Sequence, residues 1–148
     1  MNTVSHVRFR RRGLLGILAA AVMAACGASP TAPSDYAPFS TQDLQVGIGI
    51  QAITGSVVQV NYTLWLYDQD KPDNKGPLIE TTYGRTPFSF TLGSGTTIDG
   101  WERGIPGMLE GGIRRIVVPP SLAYGQGRTG LIPANATLLF EVQLLTVS

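Results

Sequence analysis

Cysteine and histidine are almost missing from this sequence. The single Cys is Cys26 and the single His is His6, so neither type occurs beyond residue 26. Zinc ligands are mainly Cys and His, and Ser or Cys nucleophiles usually need a His base. The sequence therefore excludes an intrachain disulfide and predicts no metal site, no cofactor and no nucleophile activated by histidine.

Basic residues are scarce outside the N-terminus. Four of the eleven Lys and Arg residues lie within the first twelve positions, and Asp35 is the first acidic residue. Residues 26–148 carry seven basic and ten acidic side chains, which gives a net charge of −3. Nucleic-acid binding needs clustered Lys and Arg, so this composition excludes nucleic acid as a partner.

The apolar run over residues 13–25 is too short to span a membrane, because it has thirteen residues and a spanning helix needs ~20. Basic residues precede this run and small residues end it, which is typical of a signal peptide. We therefore predict residues 1–25 as a signal peptide and the chain as exported. Because the pair Arg11-Arg12 directly precedes the apolar run, the general secretory route and the twin-arginine route of export both remain open.

Cys26 ends a segment, Met23-Ala24-Ala25-Cys26, that resembles the bacterial lipobox. We predict a cell-envelope lipoprotein anchored at Cys26, on the periplasmic face of a membrane or, since Gly27 is not Asp, on the outer membrane. An ordinary secretory signal with an incidental Cys is the alternative. Residues 26–40 are predicted as a tether, since their prolines favour an extended backbone that could reach ~40 Å at about 3.1 Å per residue.

From residue 41 to 148 the pattern predicts one β-rich domain. Leu44, Val46, Ile48 and Ile50 alternate with Gln and Gly, which indicates a strand with these four side chains on a buried face. Further strands are predicted over residues 58–66, 78–82, 88–92, 113–118 and 137–147.

One segment has helical rather than strand periodicity. Ile98, Trp101, Ile105 and Met108 are spaced as on one helix face, and Thr96 with Asp99 predicts a capping pair. A short amphipathic helix must bury its apolar stripe, and the only partner available is the sheet. The predicted fold class is α+β, a curved antiparallel sheet wrapped around one short helix.

Aromatic side chains occur on several different predicted elements: Tyr62, Phe88, Trp101, Tyr124 and Phe140. They could form part of the core, or they could line an apolar cleft for a small ligand. The hydroxyls of Tyr62 and Tyr124 favour the cleft, because a core would have to satisfy them.

The motifs of residues 41–148 resemble the FKBP-type peptidyl-prolyl cis-trans isomerases. They are Val60-Asn61-Tyr62-Thr63, Pro87-Phe88-Ser89-Phe90, Leu92-Gly93, Ile98-Asp99-Gly100-Trp101, Ala123-Tyr124-Gly125 and the run Ile132-Pro133-Ala134-Asn135-Ala136-Thr137-Leu138-Leu139-Phe140-Glu141-Val142. The resemblance implies a half-barrel of five or six antiparallel strands around one short helix. It also implies isomerase activity on proline-containing polypeptides and binding of macrolide inhibitors.

The resemblance assigns a role to each site residue. Trp101 would be the floor of a proline pocket, the Ile98 N–H and the Tyr124 hydroxyl would bind substrate carbonyls, and Glu80 would act at the polar rim. The walls and neighbouring positions would be Tyr62, Ile79, Phe88, Thr97, Leu131, Ile132 and Phe140.

Two positions depart from the family pattern. Ile79-Glu80-Thr81-Thr82 stands where the family usually has Phe-Asp-Ser-Ser, so one aromatic wall is missing and one carboxylate is longer. This departure leaves a second interpretation open, in which the domain binds proline-containing chains as a holdase with little turnover. A structural envelope lipoprotein is a third interpretation. Nothing in the sequence indicates an oligomer, so a monomer is expected.

Overall fold

A computed structural model of the chain describes residues 36–148. The predicted signal peptide, Cys26 and most of the predicted tether lie outside the described residues. Within residues 36–148, no helix has both the length and the apolar character needed to cross a membrane.

The described residues form a six-stranded antiparallel sheet and one short α-helix, which confirms the predicted fold class. The main elements are β1 (Ser40–Gln45), β2 (Val57–Tyr67), β3 (Lys75–Thr81), β4 (Phe88–Thr91), α1 (Asp99–Gly104), β5 (Ile113–Val118) and β6 (Leu138–Val147). Short 3₁₀ turns lie at Pro72–Asn74 and Pro120–Leu122. Five strands lie side by side in the order β1-β5-β6-β2-β3, and β4 also pairs with β2.

Strands β3 and β4 share one edge of β2. β4 pairs with the first part of β2, where Val60 faces Phe88, and β3 pairs with the last part, where Thr63 faces Thr81. The chain leaves the sheet between these two partners. Tyr62 therefore lies where the edge of β2 changes from one partner strand to the other.

Helix α1 packs closely on β5, and two of its glycines make this approach possible. A Cβ atom on Gly100 would lie 2.4 Å from Val118 Cγ1, and one on Gly104 would lie 2.8 Å from Ile116 Cδ1. The predicted helix is confirmed, although it ends at Gly104. The predicted capping pair is wrong, because Ile98 is the N-cap and no side chain caps it.

The core lies between the concave face of the sheet and the helix. Trp101, Ile105 and Met108 of the predicted helical stripe are buried there. Alternate residues of β6, namely Phe140, Val142 and Leu144, are buried opposite them, as the period of two predicts.

The prediction that the first strand buries its aliphatic side chains is wrong. β1 ends at Gln45, and Leu44, Val46, Ile48 and Ile50 are all exposed. The alternation of the segment is real, but its glycine face lies against the body of the domain. Gly47 is buried, and a Cβ atom there would lie 2.2 Å from the Glu110 carbonyl oxygen.

Candidate functional site

Four aromatic rings surround the ring of Trp101. Ring centroids lie 4.9 Å from Trp101 to Tyr62, 5.3 Å to Phe140, 5.6 Å to Phe90 and 5.9 Å to Phe88. Three of these pairs are close to perpendicular, the edge-to-face arrangement that aromatic quadrupoles favour. Trp101 is buried, and its Nε1 has no hydrogen-bond partner within the described residues.

A cavity of about 470 Å³ opens above this cluster. Its volume falls in the range of sites for small ligands. Eight predicted site residues lie around it: Tyr62, Glu80, Phe88, Thr97, Ile98, Trp101, Tyr124 and Phe140. The structure thus brings together side chains from β2, β3, β4, α1, β6 and two loops.

The loop after β3 holds the backbone of Tyr62. The Tyr62 N–H donates to Thr82 Oγ1 at 2.9 Å, and the Tyr62 carbonyl accepts from the Thr82 N–H at 3.0 Å and from Thr81 Oγ1 at 3.2 Å. Thr82 Oγ1 also donates to Asn61 Oδ1 at 3.2 Å. These hydroxyls replace the missing strand partner, so Tyr62 is fixed at the mouth of the cavity.

The hydroxyl of Tyr62 lies beside an acidic group. The pKa of Tyr62 is raised to about 12, mainly by burial and further by the negative charge of Glu80, its hydrogen bond with the phenol and the nearby Tyr124. The phenol therefore keeps its proton at any ordinary pH and remains a hydrogen-bond donor.

Glu102 organises the loop that leads into the helix. Its carboxylate accepts from the Gly93 N–H at 2.6 Å, the Gly95 N–H at 3.2 Å and the Thr97 hydroxyl at 3.2 Å. The loop ends at Ile98, whose carbonyl accepts from the Trp101 N–H. Within the described residues, the Ile98 N–H donates to no acceptor, so this donor beside the cavity is free.

Tyr124 is held by a tight turn built on Pro120. The Pro120 carbonyl accepts from the Ala123 N–H at 3.1 Å and from the Gly125 N–H at 2.9 Å, and the Tyr124 carbonyl accepts from the Gly127 N–H. The side chain of Tyr124 is 40% exposed and lines the cavity. Its hydroxyl is thus accessible to a ligand.

Three predicted site residues do not line the cavity. Leu131 is 74% exposed, because it lies in the turn that the Thr129 and Ile132 backbones close. Ile132 is buried in the core, and Ile79 packs against the edge of the core. Their predicted contact with a ligand has no geometric support in this structure.

Other residues of the site were missed by sequence reasoning. Leu64 lies two positions after Tyr62 on β2, so strand periodicity could have placed it on the same face. Phe90 follows Phe88 on β4 by the same rule and contacts Trp101. The remaining lining residues are Thr96, Asp99 and Ala123.

A half-barrel sheet on one short helix, with an aromatic cavity between them, defines a ligand-binding α+β domain of the FKBP type. A family model described as FKBP-type peptidyl-prolyl cis-trans isomerase matches residues 49–145. The FK506-binding protein of Neisseria meningitidis serogroup A is 43% identical over 107 residues, which are 72% of this chain and 93% of that protein. The chain belongs to the family of FKBP-type peptidyl-prolyl cis-trans isomerases.

Other relatives agree in sequence and in structure. Peptidyl-prolyl cis-trans isomerase FPR2 of Saccharomyces cerevisiae is 38% identical over 73% of this chain and 84% of its own length. The crystal structure of AtFKBP13 superposes with a TM-score of 0.63 at 32% identity, covering 74% of this chain and 93% of that one. FkpA from Escherichia coli gives the same TM-score at 35% identity, and the match covers 74% of this chain and 48% of FkpA.

Proposed function

We propose that this chain is an exported, lipid-anchored isomerase that accelerates rotation of X-Pro bonds while exported proteins fold. The observation that carries the activity is the aromatic cavity with its buried indole floor and free Ile98 N–H. The predicted signal peptide and Cys26 support the location. Both lie outside the described residues.

The proposed mechanism needs no covalent step. The barrier to X-Pro rotation is ~18–20 kcal/mol, because twisting the bond removes amide resonance. The twisted amide is less polar than the planar one, so a dry aromatic pocket stabilises it relative to water. Trp101, Tyr62, Phe88 and Phe140 would enclose the prolyl ring and exclude water.

The polar rim would hold the flanking chain. The Ile98 N–H and the Tyr124 hydroxyl donate to substrate carbonyls in this mechanism, and Glu80 keeps the Tyr62 phenol oriented. Two fixed donors on either side of the proline restrain the backbone in the twisted geometry, which lowers the barrier by preorganisation.

The first prediction concerns Tyr124. Tyr124→Phe removes one donor to the substrate, so we expect about a three- to tenfold loss of kcat/KM, the equivalent of one hydrogen bond. Proline-limited refolding of a model substrate measures this loss, because the uncatalysed step takes tens of seconds or more. Tyr83→Phe is the matched control, since the Tyr83 hydroxyl donates to Gln143 outside the cavity.

Trp101→Ala removes the floor and is expected to abolish most acceleration. Retention of full kcat/KM in both Trp101→Ala and Tyr124→Phe contradicts the proposed site. A folded protein that suppresses aggregation without accelerating refolding supports the alternative of a binding module.

The names of the relatives suggest one ligand. We propose that FK506 occupies the same cavity, so FK506 should inhibit refolding catalysis competitively, and Trp101→Ala should weaken its binding.

The anchor is tested separately: Cys26→Ser should move the protein from the membrane fraction to the soluble fraction of cells. Unchanged membrane association after Cys26→Ser contradicts lipidation at this residue.

A further inference from the structure

A row of aliphatic side chains projects from the segment after β1. Val46 is 70% exposed, Ile48 99%, Ile50 60% and Ile53 60%. We call these four residues the aliphatic row. Single exposed aliphatic residues are ordinary, but four within eight positions concentrate exposed apolar surface in one short segment.

The backbone beneath the row fixes its orientation. The Ile48 and Gly49 N–H groups donate to the Glu110 carbonyl at 3.1 and 3.2 Å, and the Ala52 N–H donates to the Met108 carbonyl at 2.8 Å. A Cβ atom on Gly49 would lie 2.5 Å from Glu110 Cβ. Gly47 is buried and this backbone is bonded to the body of the domain, while Val46, Ile48 and Ile50 are exposed to solvent.

The segment that carries the row has no charged residue of its own. The chain has no charged residue between Asp43 and Asp68. Asp43 itself forms a bidentate ion pair with Arg114, and the Glu110 carboxylate accepts from the Ile50 and Val147 N–H groups. Both carboxylates near the row therefore keep hydrogen-bond donors within the domain when the row leaves water, and Asp43 also keeps its ion pair with Arg114.

We propose that the aliphatic row inserts into the interface of a lipid bilayer. Val46 lines a cavity of about 130 Å³, which is smaller than a usual ligand pocket, and Ile48 is 99% exposed, so the row protrudes and offers no groove of peptide size. A protruding, uncharged aliphatic surface suits a fluid apolar phase, which needs no matching shape.

The position of the row in the chain favours the same occupant. The row follows β1, which begins at Ser40, and only thirteen residues lie between Cys26 and Ser40. This inference deepens the proposed membrane anchoring, since a lipid at Cys26 would hold the row within reach of the bilayer. Lipidation contributes one attachment, and the row would add a second that sets the orientation of the domain.

Site-specific labelling tests the proposal in the full chain. Because Cys26 is the only cysteine, the variants Cys26→Ser/Ile48→Cys and Cys26→Ser/Ile50→Cys each have a single thiol for an environment-sensitive dye. The matched control is Cys26→Ser/Leu78→Cys, since Leu78 is 57% exposed on β3. The probe is a vesicle of neutral phosphatidylcholine.

Vesicles should shift the emission of dyes at residues 48 and 50 to shorter wavelengths and remove most of their quenching by aqueous iodide. The dye at residue 78 should not respond. The shift should persist at high salt and need no anionic lipid, because the row is uncharged.

Three results would overturn the proposal. If the chain sediments with vesicles while the dyes at residues 48 and 50 stay in water, only the N-terminal region binds the vesicles. A shift caused by an unfolded polypeptide without vesicles assigns the row to a protein partner. A shift that follows protein concentration alone assigns it to a second copy of the chain.

The outcome is separable from the proposed catalysis. No residue of the row lines the aromatic cavity, so the labelled proteins should accelerate refolding as the unlabelled chain does. Failure of the isomerase proposal would appear as absent catalysis in every protein, with the dye responses unchanged.

Discussion

At the scale of single residues, different atoms of Tyr62 have different roles. Its backbone fixes the position of the residue, and its side chain lines the cavity. Its backbone is held by Thr81 and Thr82, and its ring contacts Trp101 with centroids 4.9 Å apart. Its hydroxyl faces Glu80 at the rim of the cavity. A family resemblance could assign Tyr62 to the pocket, but it could not show that neighbouring hydroxyls replace a strand partner.

The raised pKa of Tyr62 predicts a loss of stability at alkaline pH. The pKa is about 12 in the folded chain against an ordinary value of 10.0, so the folded state holds this proton more tightly. The contribution is therefore complete below pH 10.0 and is lost as the pH rises towards 12. Urea unfolding at several pH values should show a steeper alkaline decline for the wild-type chain than for Tyr62→Phe.

Tyr83 serves as an internal reference in this comparison. Burial also raises the pKa of Tyr83, and Glu141 adds to it, but this residue is present in both proteins and its effect cancels. Parallel pH profiles for the wild-type chain and Tyr62→Phe would refute the assignment of the alkaline loss to Tyr62.

At the scale of elements, the contact between α1 and β5 depends on the absence of a side chain. Gly100 and Gly104 face Val118 and Ile116, both of which are fully buried. In the interior of an ordinary helix, replacing Gly by Ala raises the stability of the helix by about 1 kcal/mol. Here the added methyl group would meet Val118, which has no room to move.

Gly100→Ala is therefore expected to destabilise the domain by about 1–3 kcal/mol, the usual cost of overpacking a core. Arg103→Ala is the matched control on the exposed face of the same helix and should change the free energy of unfolding by no more than about 0.5 kcal/mol. Urea unfolding measures both. A gain in stability for Gly100→Ala would show that the helix can move away from β5.

The strands and the helix could be predicted from periodicity because their apolar spacing matches the faces that the fold buries. β5 was predicted with its observed bounds, Ile113–Val118. The segment after β1 was predicted with the wrong face buried, because periodicity identifies two faces and cannot say which one is inside. The close approach of the Gly47 backbone to the Glu110 carbonyl determines which face is buried, and this approach depends on tertiary structure.

At the scale of the whole molecule, Glu110 connects segments that are far apart in the chain. Its backbone binds the residues after β1, and its carboxylate accepts from the N–H of Val147 near the C-terminus. Val147 is buried, so losing this acceptor leaves an unsatisfied donor away from water.

Glu110→Ala should lower the free energy of unfolding by about 1–3 kcal/mol, the cost of one buried unpaired donor. Glu110→Gln keeps an acceptor oxygen and should lose less. The difference between the two variants in urea unfolding isolates the hydrogen bond from the rest of the side chain. Equal stability of both variants and the wild-type chain would contradict this account.

The aromatic cavity could be predicted in outline because its motifs occur in the expected order along the chain. The boundaries of the cavity could not be predicted from the motifs, because Leu131 lies on the outer side of a turn and Ile132 lies on the inner side. Adjacent residues in a turn point in different directions, and this depends on backbone geometry that a motif does not specify.

The placement of β6 has a consequence for the order of events during synthesis. β6 is formed by Leu138–Val147, the last of the strands among residues 36–148, yet it lies between β5 and β2 in the interior of the sheet. Until these residues have been synthesised and released by the ribosome, β5 and β2 have no partner between them. The sheet therefore cannot close before β6 is present, and its closure then joins segments that are distant in the chain.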